Sequence, residues 1–227
     1  MDMLFFDKLK KICGAFGFNQ RGEAFFRLIG DGVLQVIKCK HQRNLGGEII
    51  SIGLFSMYGY LQPQWFTASA CITRYNITSC YYQNNMPLVF AVPIQTQLDM
   101  LSSQVLPWLD SIDTQKKLIS AITKLDNRWN DRLKIGPYLA CGELNHAKKV
   151  ARELLTQYDF GRTGRIQYHE DPNGLLILKR EQGGNDPQAL LEMIDRGDPE
   201  EINAYLKENY MRNIEYAKFC TKNKGNI

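Results

Sequence analysis

No two of the six cysteines sit close together: Cys71 and Cys80 are the nearest pair, and Cys13, Cys39, Cys141 and Cys220 are scattered along the chain. A structural zinc site brings its donors together through at least one pair spaced two to four residues apart, so zinc is excluded as the organising element. The chain opens without a basic segment, an apolar core and a small-residue cleavage site. Reduced thiols in a cytoplasmic protein are the expectation. Missing too are the Gly-x-Ser-x-Gly elbow, the Gly-x-Gly-x-x-Gly turn and the His-Glu-x-x-His helix. No catalytic residue, metal or cofactor is therefore expected, and any enzyme here would assemble its site from residues distant in sequence.

Charge is scarce between residues 61 and 111, where Arg74, Asp99 and Asp110 are the charged groups. A membrane span is still excluded there. Gln62, Gln64, Thr67, Ser69, Asn84, Asn85 and Gln95 interrupt the apolar runs together with Pro63, Pro87 and Pro93, and a spanning helix needs about twenty mostly apolar residues. The chain also lacks a basic domain. Its net charge of +4 divides as +3 over 1–60, −1 over 61–111 and +2 over 112–227, which gives none of the clustered Lys and Arg that tight phosphate binding by counterion release requires.

What is present is enough apolar sequence, 44% over 227 residues, to bury a substantial core. Phe5, Leu9, Ile12 and Phe16 recur at helical spacing after Asp2, a helix-capping residue, with Lys8, Lys10 and Lys11 on the other side. Three β-branched and aromatic runs follow, Glu23 to Ile29, Val33 to Gln42 and Glu48 to Met57, separated by Gly30-Asp31-Gly32 and Leu45-Gly46-Gly47. That is the pattern of an antiparallel meander. In the second run Val33, Gln35, Ile37, Cys39 and His41 share one side, while Leu34, Val36, Lys38 and Lys40 share the other. Trp65 to Tyr75 and Pro87 to Val92 read as two further strands, for about five in all.

Several of these residues carry a likeness: Phe18, Arg21-Gly22, Phe25-Phe26-Arg27, Gln35, Lys40-His41-Gln42, Ile52-Gly53 and Leu106-Pro107-Trp108. With the N-terminal helix they resemble a bacterial family of domains of unknown function catalogued as number forty-three hundred and four. The resemblance covers about the first half of the chain and implies a bacterial cytoplasmic protein. None of its motifs is catalytic.

Beyond residue 96 the periodicity is helical. Thr96 with Asp99 resembles a capping box ahead of a Leu98, Leu101, Val105, Leu109 stripe that Pro107 should break or kink. Leu118, Ile122, Leu125 and Trp129 form another stripe, and Gly136-Pro137 is expected to end that helix and start a partner carrying Ala140, Leu144, Ala147, Ala151, Leu154 and Tyr158. Residues 161–185 are rich in glycine and charge and read as a β-hairpin or linker around Asp171-Pro172-Asn173-Gly174. Asp186-Pro187 and Asp198-Pro199 then open two helices, the second with Ile202, Leu206, Tyr210, Ile214 and Ala217 on one face. The expectation is an α+β protein whose antiparallel sheet of about five strands, with an N-terminal helix, has one face covered by helices. Residues 1–160 form the core domain with its helical hairpin, 161–185 the linker, and 186–227 a C-terminal helical pair.

Candidate chemistry is thin. His41 stands among Lys38, Lys40 and Arg43 with no carboxylate to orient it as a base, so it is a strand-end histidine or part of a polyanion-binding edge. His146 lies three residues after Glu143, which suits a helix-surface contact. In His169-Glu170-Asp171, strand neighbours point to opposite faces and cannot converge on a metal. Arg162 and Arg165 in Gly161-Arg162-Thr163-Gly164-Arg165 could serve an anion nest, but the lysine and strand-to-helix placement of a P-loop are absent and an exposed loop is the simpler reading. Arg21, Lys38, Lys40, His41, Arg43, Arg162 and Arg165 are thus the candidate binding residues. They suit a non-catalytic protein-binding module whose partner is another protein, by fold-level analogy with immunity proteins that block a toxin. An enzyme with a dispersed site and a weak nucleic-acid or polyanion binder are the alternatives. Titration with duplex and single-stranded DNA near physiological salt should give dissociation constants no tighter than about 10⁻⁶ M; nanomolar, sequence-dependent binding would restore the nucleic-acid reading.

Overall fold

The structure, a computed structural model, describes residues 3–42, 47–59, 75–76, 82–83, 86–87, 94–124, 131–159, 168–170, 176–178 and 187–221. Helix α1 (Met3–Ala15) buries Phe5, Leu9 and Cys13 and leaves Lys8, Lys10 and Lys11 exposed, as its spacing requires. Strands β1 (Asn19–Arg21), β2 (Ala24–Ile29), β3 (Val33–Gln42) and β4 (Gly47–Ser56) form an antiparallel meander in sequence order. A two-residue β5 (Tyr75–Asn76) pairs at its edge with Ile52 and Ser51.

The meander matches the three expected runs, but the strand inventory differs. Four strands, not five, have any length. Strand β1 was not anticipated because Asn19-Gln20-Arg21 contains no β-branched or aromatic residue; its pairing with Ala24, Phe25 and Phe26 across a tight turn makes it a strand. Most of the expected strand from Trp65 to Tyr75 lies outside the described residues. Of the one expected from Pro87 to Val92, only Pro87 is described; it belongs to β7 (Met86–Pro87), which pairs with β6 (Tyr82–Gln83) in a separate two-stranded unit.

Helix α2 (Ile94–Met100) begins two residues before the expected cap and runs through a π-helical turn (Leu101–Val105) into α3 (Leu106–Asp110). Pro107 therefore does not break the helix. Its ring and missing N–H are accommodated by the wider turn, in which the Leu106 N–H donates to the Leu101 carbonyl five residues back. Leu98, Leu101, Val105 and Leu109 are all buried. Together with α1 and α4 (Gln115–Lys124), this helix covers the sheet face bearing Phe25, Val33, Ile37, Cys39, Ile50, Ile52 and Leu54.

The helical hairpin is α5 (Asp131–Ala140) with α6 (Leu144–Asp159), so its turn lies at 141–143 and not at Gly136-Pro137. Pro137 lies inside α5, where it removes the helical bond that an N–H at this position would donate to the Leu133 carbonyl. Gly136 is required there, since a Cβ would come within 2.6 Å of the Gly59 backbone. Residues 125–130 lie outside the description. Helix α7 (Pro187–Arg196) and helix α8 (Pro199–Thr221) start at their prolines as read, and Gly197 between them takes φ +64°. Strands β8 (Tyr168–Glu170) and β9 (Leu176–Leu178) pair as a hairpin within the 161–185 segment.

Helix α8 serves two cores. Its first half places Ile202 and Leu206 with Ile135, Leu139, Ala147, Val150, Ala151, Leu154, Leu190, Met193 and Ile194. Its second half lays Tyr210, Ile214, Tyr216 and Ala217 over the other sheet face, against Phe26, Leu34, Val36, Phe55 and Met57. Helices therefore cover both faces of the sheet, where sequence periodicity led us to expect one. Asn209 Nδ2 and Asn213 Oδ1 are buried on this second half with no hydrogen-bond partner, a penalty of about 1–3 kcal/mol each.

Two glycines differ sharply in what they tolerate. Gly30 has φ +49° and an added Cβ would lie 1.9 Å from the Asp113 carbonyl oxygen, whereas Gly142 has φ +72° with nothing within 4 Å. Gly142→Ala should cost about 1–2 kcal/mol, the left-handed penalty alone, and Gly30→Ala about 3–5 kcal/mol, in the tail of point-mutant effects. Urea unfolding of the two variants checks this; equal losses would mean that the β2–β3 turn is not pressed against Asp113.

Candidate functional site

The pairing register decides where the expected cations stand. Arg21 pairs with Ala24, Ala24 with Lys38, Lys38 with Ser51 and Ser51 with Asn76. Directly paired residues of adjacent antiparallel strands project to the same face, so Arg21 and Lys38 share the α8 face, two strands and about 10 Å apart. Ala24, small and half-buried, lies between them. Lys40, paired with Ile49, has the register parity of Lys38; His41, paired with Glu48, has the opposite parity. The pleat thus divides the expected group. Arg43, Arg162 and Arg165 lie outside the described residues.

Sequence reasoning missed a polar cluster on the other face. The Arg27 guanidinium donates from Nε and Nη2 to Gln35 Oε1 at 3.0 and 2.6 Å and from Nη1 to the Phe16 carbonyl at 2.7 Å, and it pairs with Asp110 Oδ1 at 2.6 Å. Its carbon centre sits 4.5 Å from the Phe18 ring centroid. Gln35, fully buried, passes the link onward: its Nε2 donates at 2.7 Å to the Leu109 carbonyl, which at the end of α3 also accepts from the Ile112 N–H at 3.0 Å. Four of the five guanidinium donors are engaged, so the cluster binds elements of the fold to one another and presents little to a ligand. One signal was available: Arg27 and Gln35 occupy the apolar parity of their strands, between Phe25 and Ile29 and between Val33 and Ile37.

A second cluster gathers at the β2–β3 turn. Tyr58 Oη donates to Asp31 Oδ1 at 2.9 Å, the Asp31 N–H donates to the Asp113 carbonyl at 2.9 Å, and Gln115 Nε2 donates to the Asp31 carbonyl. Ser56 Oγ donates to Gln115 Oε1 at 2.7 Å, and the Tyr58 N–H donates to Ser56 Oγ at 3.1 Å. Asn213 Nδ2 reaches the Met57 and Gly59 carbonyls at 2.8 and 2.7 Å. Burial first, then the Asp31 carboxylate and neighbouring Tyr210, push the Tyr58 phenol up to about 12. It remains a donor at neutral pH and offers no base.

Burial likewise pushes the Cys13 thiol up to about 12, against the lowering field of Arg27. The Cys141 thiol is also raised, by burial and then by the Glu143 and Asp31 carboxylates. Neither supplies the thiolate that nucleophilic chemistry needs. His146 Nδ1 lies 3.2 Å from Glu143 Oε2 and its ring stacks on Tyr138, the helix-surface contact read from their spacing. Among the described residues no three or more His, Cys, Asp or Glu side chains are placed to hold a metal ion, and no helix is long and apolar enough to cross a membrane. Comparison with family models, curated proteins and solved structures finds no match to this chain.

Tyr58 carries the prediction of this section. A phenol whose folded pKa lies above its unfolded value of 10 contributes stability below pH 10 that is lost as pH rises through about 12. Tyr58→Phe should cost about 1 kcal/mol at pH 8, and the two unfolding free energies should converge between pH 10 and 12. A deficit unchanged across that range would assign the loss to packing and not to the phenol.

Proposed function

We propose that this chain is a non-catalytic protein-binding module of a bacterial cytoplasm, of the immunity type in which one protein occupies and blocks another. The observation that supports the reading is the cross-strand row that sets Arg21 and Lys38 on one face, with Lys40 two positions further along β3. Cations at that spacing attract an acidic surface, and such attraction acts chiefly on the association rate. The chemistry of the remaining polar residues favours the same reading. Arg27 and Gln35 are committed to holding the fold, and the Tyr58, Cys13 and Cys141 protons are held more tightly than in water.

The test has two stages. Tagged full-length chain recovered from its native host should bring down a stoichiometric acidic protein, identified by mass spectrometry. Recovery of a tightly bound small molecule in its place would favour the alternative, an enzyme with a site dispersed in sequence. Against the recovered partner, Lys38→Glu with Lys40→Glu should slow association at least tenfold at low salt and flatten its salt dependence, with circular dichroism unchanged. Unaltered association kinetics would remove the rim from the interface.

A further inference from the structure

We propose that the second half of α8, from Asn209 to Thr221, is a releasable strap over one face of the sheet and that Asn213 is its clasp. The inference goes beyond the rim reading and stands whatever the partner proves to be.

Three observations carry it. First, the helix is anchored unevenly. Ile202 and Leu206 are buried in the helical core, at 6 and 8% exposure, whereas the residues that cover the sheet, Tyr210, Ile214, Tyr216 and Ala217, are each only partly buried. Second, Asn213 ties the strap to the chain at the end of the sheet. Asn213, with no exposed surface, spends both protons of its amide on the Met57 and Gly59 carbonyls where the chain leaves β4. Third, the closed state carries a penalty, because Asn209 Nδ2 and Asn213 Oδ1 are buried there without a hydrogen-bond partner. Lifting the strap would solvate both atoms, and it would leave the first half of α8 seated among α5, α6 and α7.

Lifting would also uncover Phe26, Leu34, Val36, Phe55 and Met57, which form a small apolar cluster of their own. Their exposure, and with it the access of any partner to that face, would be set by the strap's opening equilibrium. Local openings of this kind draw on the least stable part of a structure, here a half-helix with a thin apolar underside.

Hydrogen exchange read by mass spectrometry on the full chain tests the proposal. In the native protein, amides of 209–221 should exchange together through an opening nearly insensitive to low urea, while those of β3 and of 200–206 should follow global unfolding with its steep urea dependence. Asn213→Ala should speed exchange of 209–221 at least tenfold and leave β3 unchanged. The proposal fails if 209–221 and β3 share one rate and one urea slope, or if Asn213→Ala accelerates both equally. It fails also if protection merely fades from Asn209 toward Thr221, the gradient of an ordinary frayed helix end. Should the variant not fold, the urea dependence of the native protein decides alone.

Discussion

The Arg27 guanidinium is the point on which the first core depends. It sits on the helix-covered face of β2, where its neighbours at the same parity are apolar, and it reaches the chain after α1, strand β3 and the end of α3 at once. A charge in that position is tolerable because four of its five donors are engaged and because Asp110, half exposed, keeps one side of the pair in contact with water. Gln35 is the necessary second member. Its carbonyl oxygen takes two guanidinium donors and its amide closes the end of α3, so removing either residue would strand a buried polar group of the other. Such coupled polar groups specify which helix end meets which strand, a choice that Leu, Ile and Val contacts alone would leave loosely defined.

The second constraint is the crowded junction around the β2–β3 turn. Gly30 allows the turn to press against the Asp113 carbonyl, and Gln115 spans from the turn to Ser56 at the end of β4. On the opposite side Gly136 lets α5 approach Gly59, and Asn213 holds the carbonyls flanking Tyr58. The helices that follow residue 186 therefore share a core with the α5–α6 hairpin, and α8 continues from it onto the sheet. This arrangement makes α8, beside α5, an element that joins the sheet to the helical part, and it gathers several directional bonds at the exit from β4.

The functional reading draws on this division of labour. The polar groups buried on the α1–α3 face are committed to structure, and the half-buried Arg21 and Lys38 stand on the α8 face, beyond the Phe26, Leu34 and Val36 that α8 covers.

How much was legible in the sequence follows from the range of the forces involved. The meander, α1 and the starts of α7 and α8 are written in local signals: period-two runs between glycines, period-3.6 stripes, and an aspartate before proline. These depend on residues a few positions apart, and they alone established the α+β class and the two parities of β3. The sequence could not place the long-range contacts. Asn19-Gln20-Arg21 is a strand because β2 accepts it; Pro107 remains within its helix because a π-turn absorbs it, and α5 runs through Pro137 and on to Ala140; and α8 covers the second face because its stripe outruns the helical core. The candidate rim divides in the same way. Composition and alternation put Lys38 and Lys40 on one side of a strand, but the partnership of Arg21 with Ala24 and of Ala24 with Lys38 is a matter of register across two hairpins, and register is fixed by tertiary packing on both faces of the sheet.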